Sequence, residues 1–243
     1  MTTTPAGEFG QRVSTGESRD FLHQGHASRP AAFFDLDGTL LARSSVMALA
    51  RPLRDAGLIR PSFVVRGIAA QMLHLRTGGR NGARERLLGA ALQDLPVERL
   101  CSVLDSCLER TLAPLVHDGA LDLIATHRRT GRRTYLVSSA PEEVVTRTAA
   151  MLGVDDVLAT KLETRGGAYT GRVGSFCQGD EKARVMRVAA SADRIHLATS
   201  YAYADSVSDV PMLEVVGHPY AVNPSRELAR VAEQHGWEIV HLQ

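Results

Sequence analysis

The first clear apolar run of the chain is Ala31-Ala32-Phe33-Phe34, which is closed at once by Asp35-Leu36-Asp37-Gly38. A short, uninterrupted apolar run ending in Asp and Gly predicts a central strand, buried on both faces, that opens into a loop. Residues 1 to about 28 carry Thr, Gly, Ser, Gln and charge with few apolar side chains. Such a segment buries too little surface to offset the entropy of ordering, so a flexible tail is predicted there. Between about 42 and 116 the pattern is helical. It is clearest at Leu100, Val103, Leu104, Cys107, Leu108 and Leu112, which follow the i, i+3, i+4, i+7 spacing of one helix face. Turn-forming stretches at Gly57 to Pro61, Gly78 to Gly82 and Asp94 to Pro96 divide this region into about four helices, a small inserted bundle.

Beyond it, strand and helix patterns alternate. The sequence predicts a helix around Gly119 to Arg129, a strand from Arg133 to Val137, and a helix from Pro141 to Leu152 with Gly153 just past its end. A strand over Val157 to Thr160 follows, then a separate hairpin from Lys161 to Val173 turning at Gly166-Gly167. The rest reads as a helix from about Glu181 to Ala190, a strand from Thr199 to Ala204, a helix from Pro211, a strand from Tyr220 to Val222, a helix from Ser225, and an edge strand around Trp237 to Val240. This rhythm predicts an α/β fold: a Rossmann-like parallel sheet with helices on both faces, built from residues 29–41 and 117–243, with the all-helical insert at 42–116. In such sheets ligands bind outside the carboxyl ends of the strands.

Composition narrows the possibilities. Hydrophobic residues at 44% and charged residues at 23% exclude wholesale disorder, collagen-like and coiled-coil chains. With 28 Lys and Arg against 27 Asp and Glu the net charge is +1, so no global field recruits nucleic acid or an anionic membrane. No apolar run approaches the roughly 18 residues of a membrane span, and the start lacks the basic and apolar regions of an export signal, so a cytoplasmic location is expected. Cys101, Cys107 and Cys177 are an odd number with no C-x-x-C pair, which suits reduced thiols. Lysine occurs only at Lys161 and Lys182, which makes each conspicuous.

Four places combine the residue types that chemistry needs. Asp35 and Asp37 leave the first strand two residues apart, so their carboxylates are expected on one side, where two like charges need a cation. Ser138 and Ser139 end the next strand beside a helix start, where hydroxyls and free N–H groups can hold an anion; Ser138 is the expected phosphate contact and Ser139 the helix cap. Lys182 falls in the first turn of a helix, where a cation opposes the dipole and a nearby anion is needed to compensate. Asp205 and Asp209 lie on a strand-to-helix turn one helical turn apart, and oxygen ligands of this kind suit Mg²⁺. Each pattern alone is more often a turn, a cap or a surface lysine. Their convergence on strand ends of one sheet favours a site.

These residues carry a resemblance. Phe34-Asp35-Leu36-Asp37-Gly38-Thr39-Leu40, Leu136-Val137-Ser138-Ser139, Gly179-Asp180-Glu181-Lys182-Ala183 and Tyr203-Ala204-Asp205-Ser206-Val207-Ser208-Asp209 occur in the order of the haloacid dehalogenase-like hydrolase superfamily. The chain is similar in particular to its subfamily IB, the phosphoserine phosphatase-like enzymes with a small helical (C1-type) cap. The resemblance spans residues 31 to 240. It implies a phosphatase that acts on a small phosphorylated metabolite through a phosphoaspartate, with Asp35 as nucleophile and Asp37 as acid and then base. Mg²⁺ is implied at the Asp35 carboxylate, the Asp37 backbone carbonyl, Asp205 and Asp209, the last directly or through water. Ser138 and Lys182 are implied to grip the phosphate.

Haloacid dehalogenation is disfavoured, because those enzymes resemble this chain at the nucleophile but lack the second aspartate. Phosphoserine phosphatase is the nearest specific alternative. Those enzymes usually have Ser after the second aspartate and Glu nine residues beyond the nucleophile, whereas this chain has Gly38 and Ser44. A phosphotransferase of the mutase kind, and a non-catalytic relative that binds a ligand or a partner protein, are further alternatives. The resemblance places substrate choice in the insert, where Arg43, Arg51, Arg54, Arg66, Arg76 and Arg80 stand among apolar residues such as Phe63, Met72 and Leu73. A monomer or a homodimer is compatible with all of these readings.

Overall fold

The computed structural model describes residues 28–59 and 82–243. The expected tail, and Arg66, Arg76, Arg80, Phe63, Met72 and Leu73 of the insert, lie outside the described residues. Seven strands form one sheet in the order β4-β3-β2-β1-β5-β6-β7, where β1 is Ala31–Phe34, β2 Arg133–Pro141, β3 Asp156–Arg165, β4 Ala168–Ser175, β5 Tyr201–Ala204, β6 His218–Val222 and β7 Glu238–Val240. Every neighbouring pair is parallel except β3 with β4.

The central strand is β1, flanked by β2 with Phe33 opposite Tyr135, and by β5 with Phe33 opposite Ala202. Its alternation splits the core. Ala32 and Phe34 join the cluster on one face with Leu136, Ile124 and Val145, while Ala31 and Phe33 join the other with Met186, Met212 and Leu228. That is why all four residues are apolar: a central strand of a doubly covered sheet has no wet side.

Between β1 and β2 the described elements are the helices α1 (Ser45–Asp55), α2 (Gly82–Leu92) and α3 (Val97–Leu112). Leu100, Leu104, Cys107, Leu108 and Leu112 of α3 are buried, as their spacing requires. The remaining helices are α4 (Ala120–Arg129), α5 (Glu142–Leu152), α6 (Asp180–Asp193), α7 (Val210–Glu214) and α8 (Arg226–His235). Gly153 ends α5 in the left-handed conformation, as its position after the last apolar residue predicts. No helix among the described residues is long and apolar enough to cross a membrane, and all three cysteines are unpaired.

Three local expectations change. Strand β2 continues past Val137 to Pro141 through an irregularity at Ser138 to Pro141. Pro141 itself is the N-cap of α5 with no side-chain hydrogen bond, so Ser139 is not the cap; its carbonyl instead accepts from Thr160 Oγ1 at 2.8 Å. The strand and hairpin predicted separately are one ten-residue β3 plus β4, joined by Gly166 and Gly167 at φ +59° and +80°, values that suit a tight hairpin turn. Finally, the helical insert contributes backbone pairing. Asp94 N donates to Tyr169 O at 2.9 Å, Tyr169 N to Leu95 O at 3.0 Å and Val97 N to Gly167 O at 2.9 Å, which covers the otherwise open edge of β4.

Candidate active site

The β3–β4 hairpin decides how the site is assembled. Its antiparallel part begins at Lys161, just past the last parallel pair, Pro141 with Thr160, so β4 runs back to the carboxyl edge and ends there at Ser175. The chain then turns through Gly179 at φ +60° into α6, where Lys182 is the third residue. The lysine motif therefore reaches the carboxyl edge from a returning hairpin and not from the end of a parallel strand.

At that edge Asp35 follows β1 directly, and its backbone N–H donates to Tyr203 O of β5 at 2.9 Å. Asp205 follows β5, and Asp209 lies one short turn further on. Oxygen atoms of Asp35, Asp205 and Asp209 all lie within 4.8 Å of one another. The Lys182 ammonium, only 3% exposed, sits 2.5 Å from Asp35 Oδ1 and 2.7 Å from Asp209 Oδ1. This is the compensating anion that a lysine in the first turn of a helix requires. Burial disfavours the ammonium, but Asp209 and Asp35 outweigh burial and hold Lys182 above the usual lysine range.

Three carboxylates face one ammonium, and the imbalance shows in the titration of Asp205 and Asp209. Burial, then repulsion from Asp35 and Asp209, pushes Asp205 up, and burial pushes Asp209 up against the pull of Lys182. Thr39 Oγ1 lies 3.3 Å from Asp35 Oδ2 and 3.2 Å from Asp205 Oδ1, bridging the two. Gly38 has φ +95°, and a Cβ there would stand 2.2 Å from Asp205 Oδ2, so only glycine lets the loop pass this close. The donor set fits a hard divalent cation such as Mg²⁺: all oxygen, buried at Asp35 and Asp209 and partly buried at Asp205, mutually repelling and short of positive charge.

Asp37 stands apart. Its side chain is outside the three-carboxylate group and turns toward the insert, where Oδ1 accepts from Ser45 N at the start of α1 at 2.7 Å. The two aspartates of the first motif therefore serve different surroundings, contrary to the expectation that both carboxylates face one way. Burial raises the Asp37 carboxyl to about 6, against the Ser45 N–H and with help from the charge of Asp35. Ser138 is buried one strand away, two residues beyond the Phe34–Leu136 pair, and its Oγ accepts from Ala140 N at 3.2 Å.

Two neighbours were not assigned from sequence. Thr39 was legible in principle, since a hydroxyl two residues after Asp37 is carried by the same loop. Arg84 of α2 was not, because nothing separates it from the other arginines of the insert. It lines a cavity of about 160 Å³ together with Asp37, and burial lowers its guanidinium while Asp37 and Asp209 pull the other way. Of the arginines expected to matter, Arg43 is exposed, Arg51 and Arg54 pair with Asp55, and none of the three lines that cavity.

Comparison with known proteins agrees with this geometry. The haloacid dehalogenase-like hydrolase family matches residues 32–214. A Mycobacterium tuberculosis protein named a probable phosphatase is 37% identical over 216 residues, covering 88% of this chain and 75% of its own. A phosphoserine phosphatase of the same organism is 32% identical over 214 residues, covering 86% and 70%. A solved Bordetella pertussis structure, described as a protein with unknown function, superposes with a TM-score of 0.78 at 31% identity over 88% of this chain and 99% of that one. The chain belongs to the haloacid dehalogenase-like hydrolase family.

Proposed function

We propose that this protein is a Mg²⁺-dependent phosphomonoester hydrolase acting on a small phosphorylated metabolite through a phosphoaspartate, with the helices of residues 42–116 as a cap over a core of 29–41 and 117–243. The observation that carries the reading is the separation of the first two aspartates: Asp35 sits among charges at 2.5 Å from Lys182, while Asp37 is held apart by Ser45 N. A ligand-binding module has no physical need for both arrangements.

In the first step an Asp35 oxygen attacks phosphorus in line, the bond from phosphorus to the alcohol oxygen breaks, and Asp37 delivers its proton to that oxygen. A carboxyl raised to about 6 is suited to this, since far more of it carries a proton than of an ordinary aspartate at the same pH. In the second step water attacks the phosphorus of the acyl phosphate, Asp37 takes the water's proton, and the Asp35–phosphorus bond breaks to release inorganic phosphate. Lys182, with Ser138, holds the non-bridging oxygens, because this chemistry depends on position and on neutralising equatorial charge. Mg²⁺, held by the Asp35 carboxylate, the Asp37 backbone carbonyl, Asp205 and Asp209, supplies the positive charge that three carboxylates deny an incoming dianion.

Purified protein with Mg²⁺ is expected to release phosphate from a broad panel of phosphomonoesters, and acid-quenched samples to carry a phosphoryl group on the peptide that contains Asp35. A panel without turnover, or a phosphoryl group on another residue, overturns the reading.

A further inference from the structure

The proposed reaction has a direction, and the direction identifies which cavity receives the alcohol. If Asp37 protonates the departing oxygen, the group bonded to that oxygen lies on the Asp37 side of phosphorus, away from Lys182 and the three-carboxylate group. The cavity of about 160 Å³ that Asp37 lines is on that side, walled among the described residues by α1, α2, the end of β2, Leu100 of α3, Val144 of α5 and Phe176. Its walls are apolar: Met47, Leu49, Leu53, Leu88, Leu100 and Phe176 are typical. Among the described residues that line it, the only charged side chains are Asp37 and Arg84, and the only hydroxyls are Ser44 and Ser139.

Two of these polar groups are engaged within the protein. Asp37 accepts from Ser45 N and serves as the acid. Ser44 caps α1, accepting from Met47 N at 3.5 Å. Arg84 is the one cation among the described lining residues, on the same cavity as Asp37. An ammonium carried by the leaving group would lose its water among walls whose one described carboxylate, Asp37, is the acid itself, a loss that apolar contact cannot restore. The volume matches that of an apolar cavity of roughly 150 Å³ that stays dry and takes up benzene.

Resting on the phosphatase reading above, we infer that the alcohol released by this site is apolar, about the size of a benzene ring or a short branched chain, and carries no amino group. The site is thereby set against phosphoserine and other zwitterionic esters, and Ser44, where an ammonium partner would be needed, is consistent with this.

The test is a substrate series with Mg²⁺: methyl, propyl, isopentyl and benzyl phosphate beside O-phosphoserine and O-phosphoethanolamine. The value of kcat/KM is expected to rise about fourfold per buried methylene until the cavity is full. Benzyl phosphate should exceed O-phosphoserine by more than tenfold. In Ala91→Phe, which fills the same cavity, the ratio of benzyl to methyl phosphate is expected to fall at least tenfold. Binding gives an independent readout: benzylphosphonate should raise Tm more than 2-amino-3-phosphonopropionate does at equal concentration. A flat series, or a preference for the zwitterionic esters and phosphonate, overturns this inference and leaves the phosphatase standing. No turnover of any ester overturns both.

Discussion

Two groups of polar side chains are buried next to the same short strand, and they are built on opposite plans. At the carboxyl edge Asp35, Asp205, Asp209 and Lys182 place three carboxylates against one ammonium, with burial and repulsion raising Asp205 and Asp209. On the sheet face His127 Nε2 meets Tyr203 Oη at 2.8 Å inside a set of rings: Phe34 stacks on Tyr203 at 5.0 Å, and His127 stands edge-on to Tyr201 at 4.8 Å. The second group is made of neutral rings in mutual contact, with the one cation, Arg132, stacked on Tyr201 at its edge. The first remains electrostatically incomplete, which is costly for a folded chain unless a ligand supplies what is missing. The difference separates a site from a core: carboxylate substitutions in the first should change activity more than stability, and mutations in the second the reverse.

The sharpest break of that contrast is Asp35→Asn. It removes the nucleophile while keeping the shape, so kcat should fall on the order of 10⁴-fold in a steady-state phosphate-release assay. Retention of activity within tenfold would place the chemistry elsewhere. Lys182→Met comes next. It leaves Asp35 and Asp209 buried without their cation, for which a loss of about 3–5 kcal/mol is expected in urea unfolding without metal. Mg²⁺ should restore part of that loss, because it substitutes for the missing charge. A Lys182→Met protein as stable as wild type would mean that the carboxylates are relieved by something other than this lysine.

Asp205→Asn sharpens the contrast from the other side. It removes a repelling carboxylate, so stability without metal should hold or rise by about 1 kcal/mol although turnover drops. In the wild type, Mg²⁺ at about 100 times its Kd should add about 2.7 kcal/mol of stability through linkage alone. In Asp205→Asn most of that increment is expected to disappear at the same concentration. An unchanged Mg²⁺ increment in the variant would remove Asp205 from the metal site.

Legibility in the sequence followed the same division. The central strand, the alternation after residue 117 and the four motifs were readable because each is local: an apolar run, a turn residue, a carboxylate at a strand end. What could not be read depends on partners far along the chain. Val157 to Thr160 and the hairpin merge into one strand because β4 finds backbone partners at Asp94, Leu95 and Val97 of the insert. The orientation of Asp37 is set by the N-terminus of α1, eight residues on, and not by strand alternation. Arg84 matters only because α2 brings it to Asp37 across nearly fifty residues of chain. Apolar spacing marked the insert as helical but could not choose among its arginines.

The last test concerns the aromatic group, where no loss of activity is expected. Burial, and then the charge of Arg132, lowers His127 to about 4, from an ordinary value near 6.5. Arg132 stacks on Tyr201 with its guanidinium carbon 4.5 Å from the ring centre, so a second positive charge at His127 has no carboxylate among these neighbours to offset it. The unfolded chain therefore takes up a proton near pH 6.5 that the folded chain refuses until about pH 4. Stability must fall as pH drops through that window, and the decline levels off below it. Between pH 7 and pH 5 this one group should cost about 2 kcal/mol of unfolding free energy. Urea midpoints measured across that range in wild type and in His127→Phe check it, because phenylalanine keeps the ring contacts and cannot titrate. The variant's overall stability will differ through the lost contact to Tyr203 Oη, but the diagnostic quantity is the slope. Equal slopes in the two proteins would mean that the buried histidine is not what acid attacks.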